Sequence, residues 1–289
     1  MAKIRTPNTV ACMRDPAADQ DGRSVLRRGL MVLECFAEGA TEKTVAEVCA
    51  RTGLPPATVH RLLAVLVDWG GVEKVSRGRY RLAVRLWRLG ARVPGTRTLR
   101  DVALPYLEDL YEATHGVVHL AIADGIDTLY VEKIPGRHAP SLISSVGARL
   151  PMHASGPGKV LVAFGPSDLL DRVLAAGLPP RTPRTITDEA AFRRAVAEVR
   201  RTGFAVSREE MSLGSASVAA PIFAERIAVA SVSVVTTPDR LRVTVLAPLV
   251  TTVARAITRA LSRVQDPLAA AEPGRTPGPR MSRPPALSG

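Results

Sequence analysis

Three things are scarce in this 289-residue sequence: cysteine, long apolar runs and acidic residues. Its three cysteines, Cys12, Cys35 and Cys49, are odd in number and widely spaced, which excludes a disulfide framework and any metal-ligand spacing. Cys35 and Cys49 sit in helical apolar patterns and are expected to serve as small buried hydrophobes. No stretch approaches the unbroken apolar run of a membrane span. The first twenty residues lack the apolar core of a secretory signal, so the cytoplasm is the expected compartment and no membrane partner is expected. The shortage of acids is the informative one: 27 Asp and Glu against 39 Lys and Arg give a net charge of +12 and a pI near 10.5. Such a balance calls for a polyanionic partner. With 46% hydrophobic and 23% charged residues, the chain is globular and long enough for two domains.

The position of the charge narrows the partner. Between Ser24 and Arg92 twelve basic residues face six acids, so half of the net charge lies in under a quarter of the chain. That segment reads as three helices and a hairpin. Ser24 is placed to cap the first helix, whose Leu26, Leu30 and Leu33 share a face. Thr44-Val-Ala-Glu47 reads as a capping box opening the second. Pro56 opens the third, with Val59, Leu62, Leu63 and Leu66 at core spacing, and Gly70-Gly71 stops it. Two short strands around Gly78 follow.

A helix-turn-helix needs a small residue at the helix crossing, a glycine able to take positive φ, and apolar residues at fixed offsets. Cys49, Gly53, Val48, Leu54, Val59 and Leu62 meet those needs. The third helix is then left presenting Pro56, Ala57, Thr58, His60 and Arg61 to the major groove, with Thr44 at the start of the helix before it. Arg61, whose guanidinium can be bidentate, is the candidate for a guanine contact or a phosphate clamp. Thr58 and His60 are candidate donors, and Lys74, Arg77, Arg79 and Arg81 make the hairpin a basic wing. The partner implied is a double-stranded DNA operator.

The rest of the chain divides by composition. Residues 1–22 and the Pro-rich 266–289 are expected to be disordered tails. Residues 23–82 form the head, 83–98 a basic linker, and 99–265 a second domain. In that domain strands at 117–123, 128–132, 216–223 and 227–235 alternate with helices near 158–164, 167–176, 188–202 and 245–264. The fold class expected is α+β: a winged helical head, then an α/β domain with a central antiparallel sheet.

The head segment SVLRRGLMVLECFAEGATEKTVAEVCARTGLPPATVHRLLAVLVDWGGVEKVSRGRYRLAVRLWRLG resembles that of the IclR-type family of bacterial transcription regulators. Two further stretches are similar to that family, GARLPMHASGPGK (147–159) and GFAVSREEMSLGSASVAAPIF (203–223), in the family's order. The likeness spans roughly residues 24–264. It implies a GAF-like effector domain, a small organic effector (often a carboxylate or an aromatic), and more often a repressor than an activator. It also implies a homodimer held by heads and connecting helix, with a homotetramer left open. Carried over position by position, it makes Ser155, Gly156 and Pro157 a loop whose amides meet the effector. Ser207, Ser215, Ser217 and Ser233 become its hydroxyl lining. The chain departs from the family in the short turn Ala224-Glu225-Arg226, which lacks the usual glycine, and in Val235, where some members carry a second serine.

Several motifs suggest chemistry and fail on inspection. Gly158-Lys159 lacks the upstream glycine and following Ser or Thr of a phosphate loop. His115 and His119 have zincin spacing without the glutamate. Glu209 and Glu210 are adjacent and face different ways, so capping or pairing with Arg208 is the expected use. His138 and His153 have no evident partners. No nucleophile–base set emerges, and no cofactor, metal or enzyme activity is expected. Two rival readings stand beside the regulator: a small-molecule-converting enzyme with an accessory nucleic-acid-binding head, and a head that only dimerises.

Overall fold

The computed structural model describes residues 24–37, 39–93, 96–137 and 144–265. The two expected disordered tails, Cys12 and His138 lie outside the described residues.

The head is built from α1 (Val25–Glu34), a 3-10 turn (Cys35–Ala37), β1 (Lys43–Thr44), α2 (Val45–Thr52), α3 (Pro56–Asp68), β2 (Val72–Ser76) and β3 (Arg79–Leu82). Its core is a single apolar knot of Val32, Cys35, Phe36, Val48, Val59, Leu62, Leu63, Val72 and Tyr80. Thr44 opens α2 with a complete capping box: its Oγ1 accepts from the Glu47 N–H at 3.2 Å while Glu47 Oε2 accepts from the Thr44 N–H at 2.7 Å. Gly53 closes α2 at φ 69°, left-handed backbone that a β-carbon would strain. Ser24 corrects the expectation of a cap. It precedes α1 in extended backbone, but its side chain makes no capping bond. Strand β1, too short to show a period of two, pairs antiparallel with β3 and completes a three-stranded sheet in the order β1-β3-β2.

Helix α4 (Val84–Gly90) follows, then α5 (Thr96–Thr114). The second unit centres on a six-stranded antiparallel sheet in the order β6-β5-β4-β9-β8-β7. Its strands are β4 (Val117–Asp124), β5 (Asp127–Ile134), β6 (Arg149–Pro151), β7 (Ala205–Arg208), β8 (Ala216–Ala224) and β9 (Ile227–Thr236). The two edges, β6 and β7, are only three and four residues long and were not expected. Period-two alternation splits the sheet into two faces. Val118, Leu120, Val218, Ala220, Val232 and Val234 face α5 and α9 (Val243–Gln265). The other face lies under α6 (Gly156–Phe164), α7 (Leu169–Ala175) and α8 (Glu189–Thr202), which bring Val160, Leu161, Leu169, Val173, Phe192 and Val196 into a second core.

Helix α9 corrects the expectation about apolar runs. By length and composition, its Val243–Val264 stretch is long and apolar enough to cross a membrane. Arg255, Arg259 and Arg263 interrupt the run in sequence, yet they recur every four residues and so fall on one exposed side. The other side, Leu246, Val250, Ala254, Ile257 and Leu261, is packed in the core.

The turn after β8 shows how the missing glycine is accommodated. Glu225 itself takes the left-handed conformation at φ 56°. Beyond a bulge at Ile222 and Phe223, the register pairs Ala219 with Ser233 and Ser217 with Val235.

Candidate nucleic-acid interface and effector pocket

In α3, Val59, Leu62 and Leu63 point into the head core, leaving Pro56, Ala57, His60 and Arg61 exposed and Thr58 half-buried. The helix therefore offers solvent the side chains that the spacing assigned to it. The hairpin is less uniform than the sequence suggested. Cross-strand pairing sets Arg81 opposite Glu73 and Lys74 opposite the buried Tyr80. Arg79 and Arg81, two residues apart, share one face of the wing, whereas Lys74 belongs to the other. Arg77 sits in the turn between the strands. Arg81 is already ion-paired with Glu73 across the hairpin. Strand β1 supplies a contact not foreseen: it sets Thr44 directly opposite Arg79, joining the start of α2 to the wing. The Thr44 hydroxyl is committed to Glu47. Beside α3, Arg85 lies 5.2 Å over the Trp69 ring and donates to the Trp69 carbonyl.

The second site lies on the α6 face of the large sheet. Ser155 caps α6, its Oγ accepting from the Gly158 N–H at 3.1 Å, and the Lys159 N–H bonds the Ser155 carbonyl at 3.0 Å. Pro157 has no N–H. Of the first-turn donors, helix geometry therefore leaves the Gly156 N–H without an intrahelical acceptor, at the positive end of the helix dipole. A β-carbon on Gly156 would lie 2.7 Å from Ser217 Oγ, and one on Gly158 would lie 2.3 Å from the Met152 carbonyl oxygen. Glycine at both positions lets α6 start directly on the sheet.

Facing that start is a narrow cavity of about 40 Å³ lined by Ser155, Gly156, Pro157, Ser207, Ser215 and Ser217. A water needs about 10–15 Å³ on this measure, so the space holds a few waters or a small molecular fragment. Six of the seven carried-over residues line it; Ser233 is fully buried one residue pair away, between His119 and Ala219. The serines differ in their commitments. Ser215 Oγ donates to the Ser212 carbonyl at 2.7 Å, whereas Ser233 Oγ is buried without a partner. Val235, in place of a serine, puts an apolar wall opposite Ser217.

Sequence reasoning missed the far end of the cavity. His119, Tyr130, Ser144, Leu150 and Met211 also line it. His119 Nε2 bonds Ser144 Oγ at 2.9 Å, and its ring meets Tyr130 edge-on at 4.9 Å. Burial, helped by the nearby Lys133 charge, pushes the His119 pKa down to about 3, so the imidazole is neutral. Burial raises the Tyr130 phenol, against a hydrogen bond with Ser155. His115 stands apart at the end of α5, its backbone at φ 50°.

Behind the pocket, Lys159 and Glu210 form a buried ion pair at 2.6 Å, and Lys159 Nζ also donates to the Val206 carbonyl at 2.8 Å. Desolvation lowers the lysine's pKa while Glu210 opposes the shift. The lysine of the apparent phosphate loop is therefore a structural anchor. Glu209 pairs with Arg184 at 2.9 Å and caps the Gly214 N–H, so the expected partner Arg208 is replaced by Lys159 and Arg184. His153 finds the Pro179 carbonyl at 3.0 Å. A lysine leading the apolar run Val160-Leu161-Val162 was the available signal for a buried carboxylate partner. Among the described residues no group of three or more His, Cys, Asp or Glu is placed to hold a metal ion.

A winged helix-turn-helix joined to an α/β unit with its own polar cavity defines a transcription regulator with separate DNA-binding and effector-binding parts. Residues 25–76 match the model of the IclR helix-turn-helix domain, and residues 92–263 match that of the bacterial transcriptional regulator IclR C-terminal domain. The chain belongs to the IclR family of bacterial transcription regulators. It is 34% identical over 200 residues to the HTH-type transcriptional regulator XynR of Escherichia coli K12, covering 68% of this chain and 79% of that one. It is 30% identical over 204 residues to the transcriptional repressor IclR of the same organism, covering 69% and 74%. An IclR homologue of Microbacterium hydrocarbonoxydans, solved in complex with 4-hydroxybenzoate, superposes with a TM-score of 0.76 at 32% identity over 83% of this chain and 99% of that one. These relatives are regulators, and the enzyme reading has no support among them.

Proposed function

We propose that the protein is a cytoplasmic, homodimeric repressor whose head (23–82) reads an operator and whose 99–265 unit releases or retains it on binding a small organic acid. The linker at 83–98 would couple the two. The exposed first turns of α3 beside a basic wing carry the DNA half of this reading. Arg61 reads a base edge or clamps a phosphate, with Thr58 and His60 beside it. Arg77, Arg79 and Arg81 bind backbone, and Thr44 holds the α2 start against the wing. Val25, Leu26 and Leu30 of α1 and Val84, Trp87 and Leu89 of α4 are each more than half exposed, apolar side chains of the kind a second copy would cover.

The effector half rests on the Gly156 amide at the α6 dipole together with the hydroxyls of Ser207, Ser217 and Ser233. They provide donors for an anion without requiring a buried cation. A neighbour complexed with an aromatic hydroxy acid supports the class. The test is binding to the DNA upstream of the protein's own gene against a scrambled duplex, across a salt series. Preference persisting at high salt is expected, followed by a shift in affinity on adding small carboxylates. Equal binding to both duplexes, vanishing steeply with salt, would mean that only charge acts.

A further inference from the structure

The cavity and the helix that leads from the head lie on opposite faces of the large sheet, and one irregular residue of β5 joins them. Along β4 and β5 the register pairs His119 with Lys133 and Leu120 with Glu132, then shifts so that Ala121 meets Tyr130. Val131 is the extra residue, a β-bulge on β5. In an unbroken strand Tyr130 and Glu132, two residues apart, would share a face. Here each follows its own partner. Tyr130 lines the cavity with its ring against His119, while Glu132 stands with Leu120 on the side covered by α5. There its buried carboxylate pairs with Arg100, in the second turn of α5. Glu132 Oε1 also accepts from the Lys133 N–H at 2.9 Å. Lys133, opposite His119, returns to the cavity side, where its Nζ donates to the carbonyl of Ser144. Ser144 lines the cavity and bonds His119. The carboxylate that holds α5 is thus flanked on both sides in the chain by groups tied to the cavity.

We propose that the Val131 bulge is the transmission element of the sensor. A ligand that displaces Tyr130 or Ser144 shifts Glu132, and Arg100 passes the shift to the head-proximal end of α5. The inference rests on the effector reading above and deepens it by naming the route of regulation. A regular ladder resists local movement, because a one-residue slip turns every side chain to the wrong face. A bulge escapes that constraint, since its extra residue is unpaired and the ladder is already interrupted there. The ion pair makes the connection strict. A carboxylate held out of solvent needs its cation, so α5 must follow Glu132 or leave it uncompensated. Arg100 lies near the start of α5, the end joined through α4 to the head. Helix α4 is in turn held to the end of α3 by Arg85 over Trp69. Glu132 and Arg100 are positioning residues; neither lines the cavity.

The test reads coupling rather than affinity. Full-length protein is titrated by anisotropy with the duplex upstream of its own gene, without and with saturating propanoate, benzoate or 4-hydroxybenzoate. Acid binding is measured separately by calorimetry. In the wild type at least one acid is expected to change operator affinity by about fivefold or more. Glu132→Gln, which keeps the shape and loses the charge, and Arg100→Gln should each bring that ratio below about twofold. The double variant should do no more than either single change, as two halves of one link. Arg100→Lys keeps a cation and should retain most of the ratio. Operator affinity without acid, and acid affinity without DNA, should stay close to wild type in every variant. A purely structural pair would instead lower the melting temperature and leave the ratio intact in both glutamine variants, which would overturn the route. An acid that binds the wild type without changing operator affinity would also overturn the route, while leaving the organic-acid reading in place. Failure of the duplex or of every acid to bind would overturn the operator or the organic-acid reading above, and the route with it.

Discussion

The head and the sensing unit place their polar groups in opposite ways. Among the described residues, the buried polar or charged side chains include only Lys43 in the head; the others, from His119 to Ser233, lie in the second unit. The head encloses an apolar core and presents its arginines to solvent, as reading a polyanion requires. The sensing unit brings serines, a histidine and an ion pair inside, where low dielectric makes each contact count. One part recognises through its outside and the other through its inside, so equivalent substitutions should have unequal effects in the two.

The largest effect is expected behind the pocket. Lys159→Met leaves Glu210 buried and uncompensated, and should cost about 3–5 kcal/mol of stability. The double variant Lys159→Met, Glu210→Leu should recover most of it in thermal melts. If the single change is silent, the inward half of the contrast fails.

In the head, by comparison, Arg61→Ala should leave the melting temperature alone. It should cost about 1–3 kcal/mol of operator binding and relax specificity. Arg79→Ala should weaken all duplexes alike and flatten the salt dependence. Identical behaviour of the two in anisotropy titrations would erase the division between α3 and wing.

Acid sharpens the same contrast. His119 titrates near 6.5 when unfolded but is held down to about 3 in the fold, and burial lowers His153 as well. The unfolded chain therefore takes up protons first as pH falls through 6.5. Stability should be lost below that pH at about 1.4 kcal/mol per unit for His119. Urea titrations at pH 7 and 5.5 should show the loss in the sensing unit, and His119→Asn should reduce it. The smallest effect concerns the two helix starts of the head. Thr44→Ala should cost about 1 kcal/mol, and Ser24→Ala close to nothing, because only Thr44 makes capping bonds.

The head was nearly all legible in the sequence because its signals are local: a capping box, a glycine after α2, a proline at the start of α3, and leucines at helical spacing. What escaped there was β1, two residues long and defined only by its pairing with distant Tyr80 and Arg79. In the second unit the long strands and helices could be read, but β6 and β7 were too short for alternation. The pocket split in the same way. Ser155, Gly156 and Ser217 came from sequence likeness, whereas His119 and Tyr130 are brought together by the pairing of β4 with β5, and Ser144 reaches them from outside the strands. The apolar run after Lys159 signalled a buried carboxylate partner, but the separation in sequence hid that the partner is Glu210.

The brevity of the sheet's outer strands has a consequence for how the protein survives in a crowded cell. A long free edge invites other chains to add strands to it, the first step toward insoluble fibres. Here the two outer strands expose three and four residues of backbone, and one of them ends at Pro151, which has no N–H to offer. In the proposed dimer, contact between copies would thus be steered away from backbone pairing and toward exposed side chains such as Trp87 and Leu26, where shape can distinguish a proper partner from an accidental one.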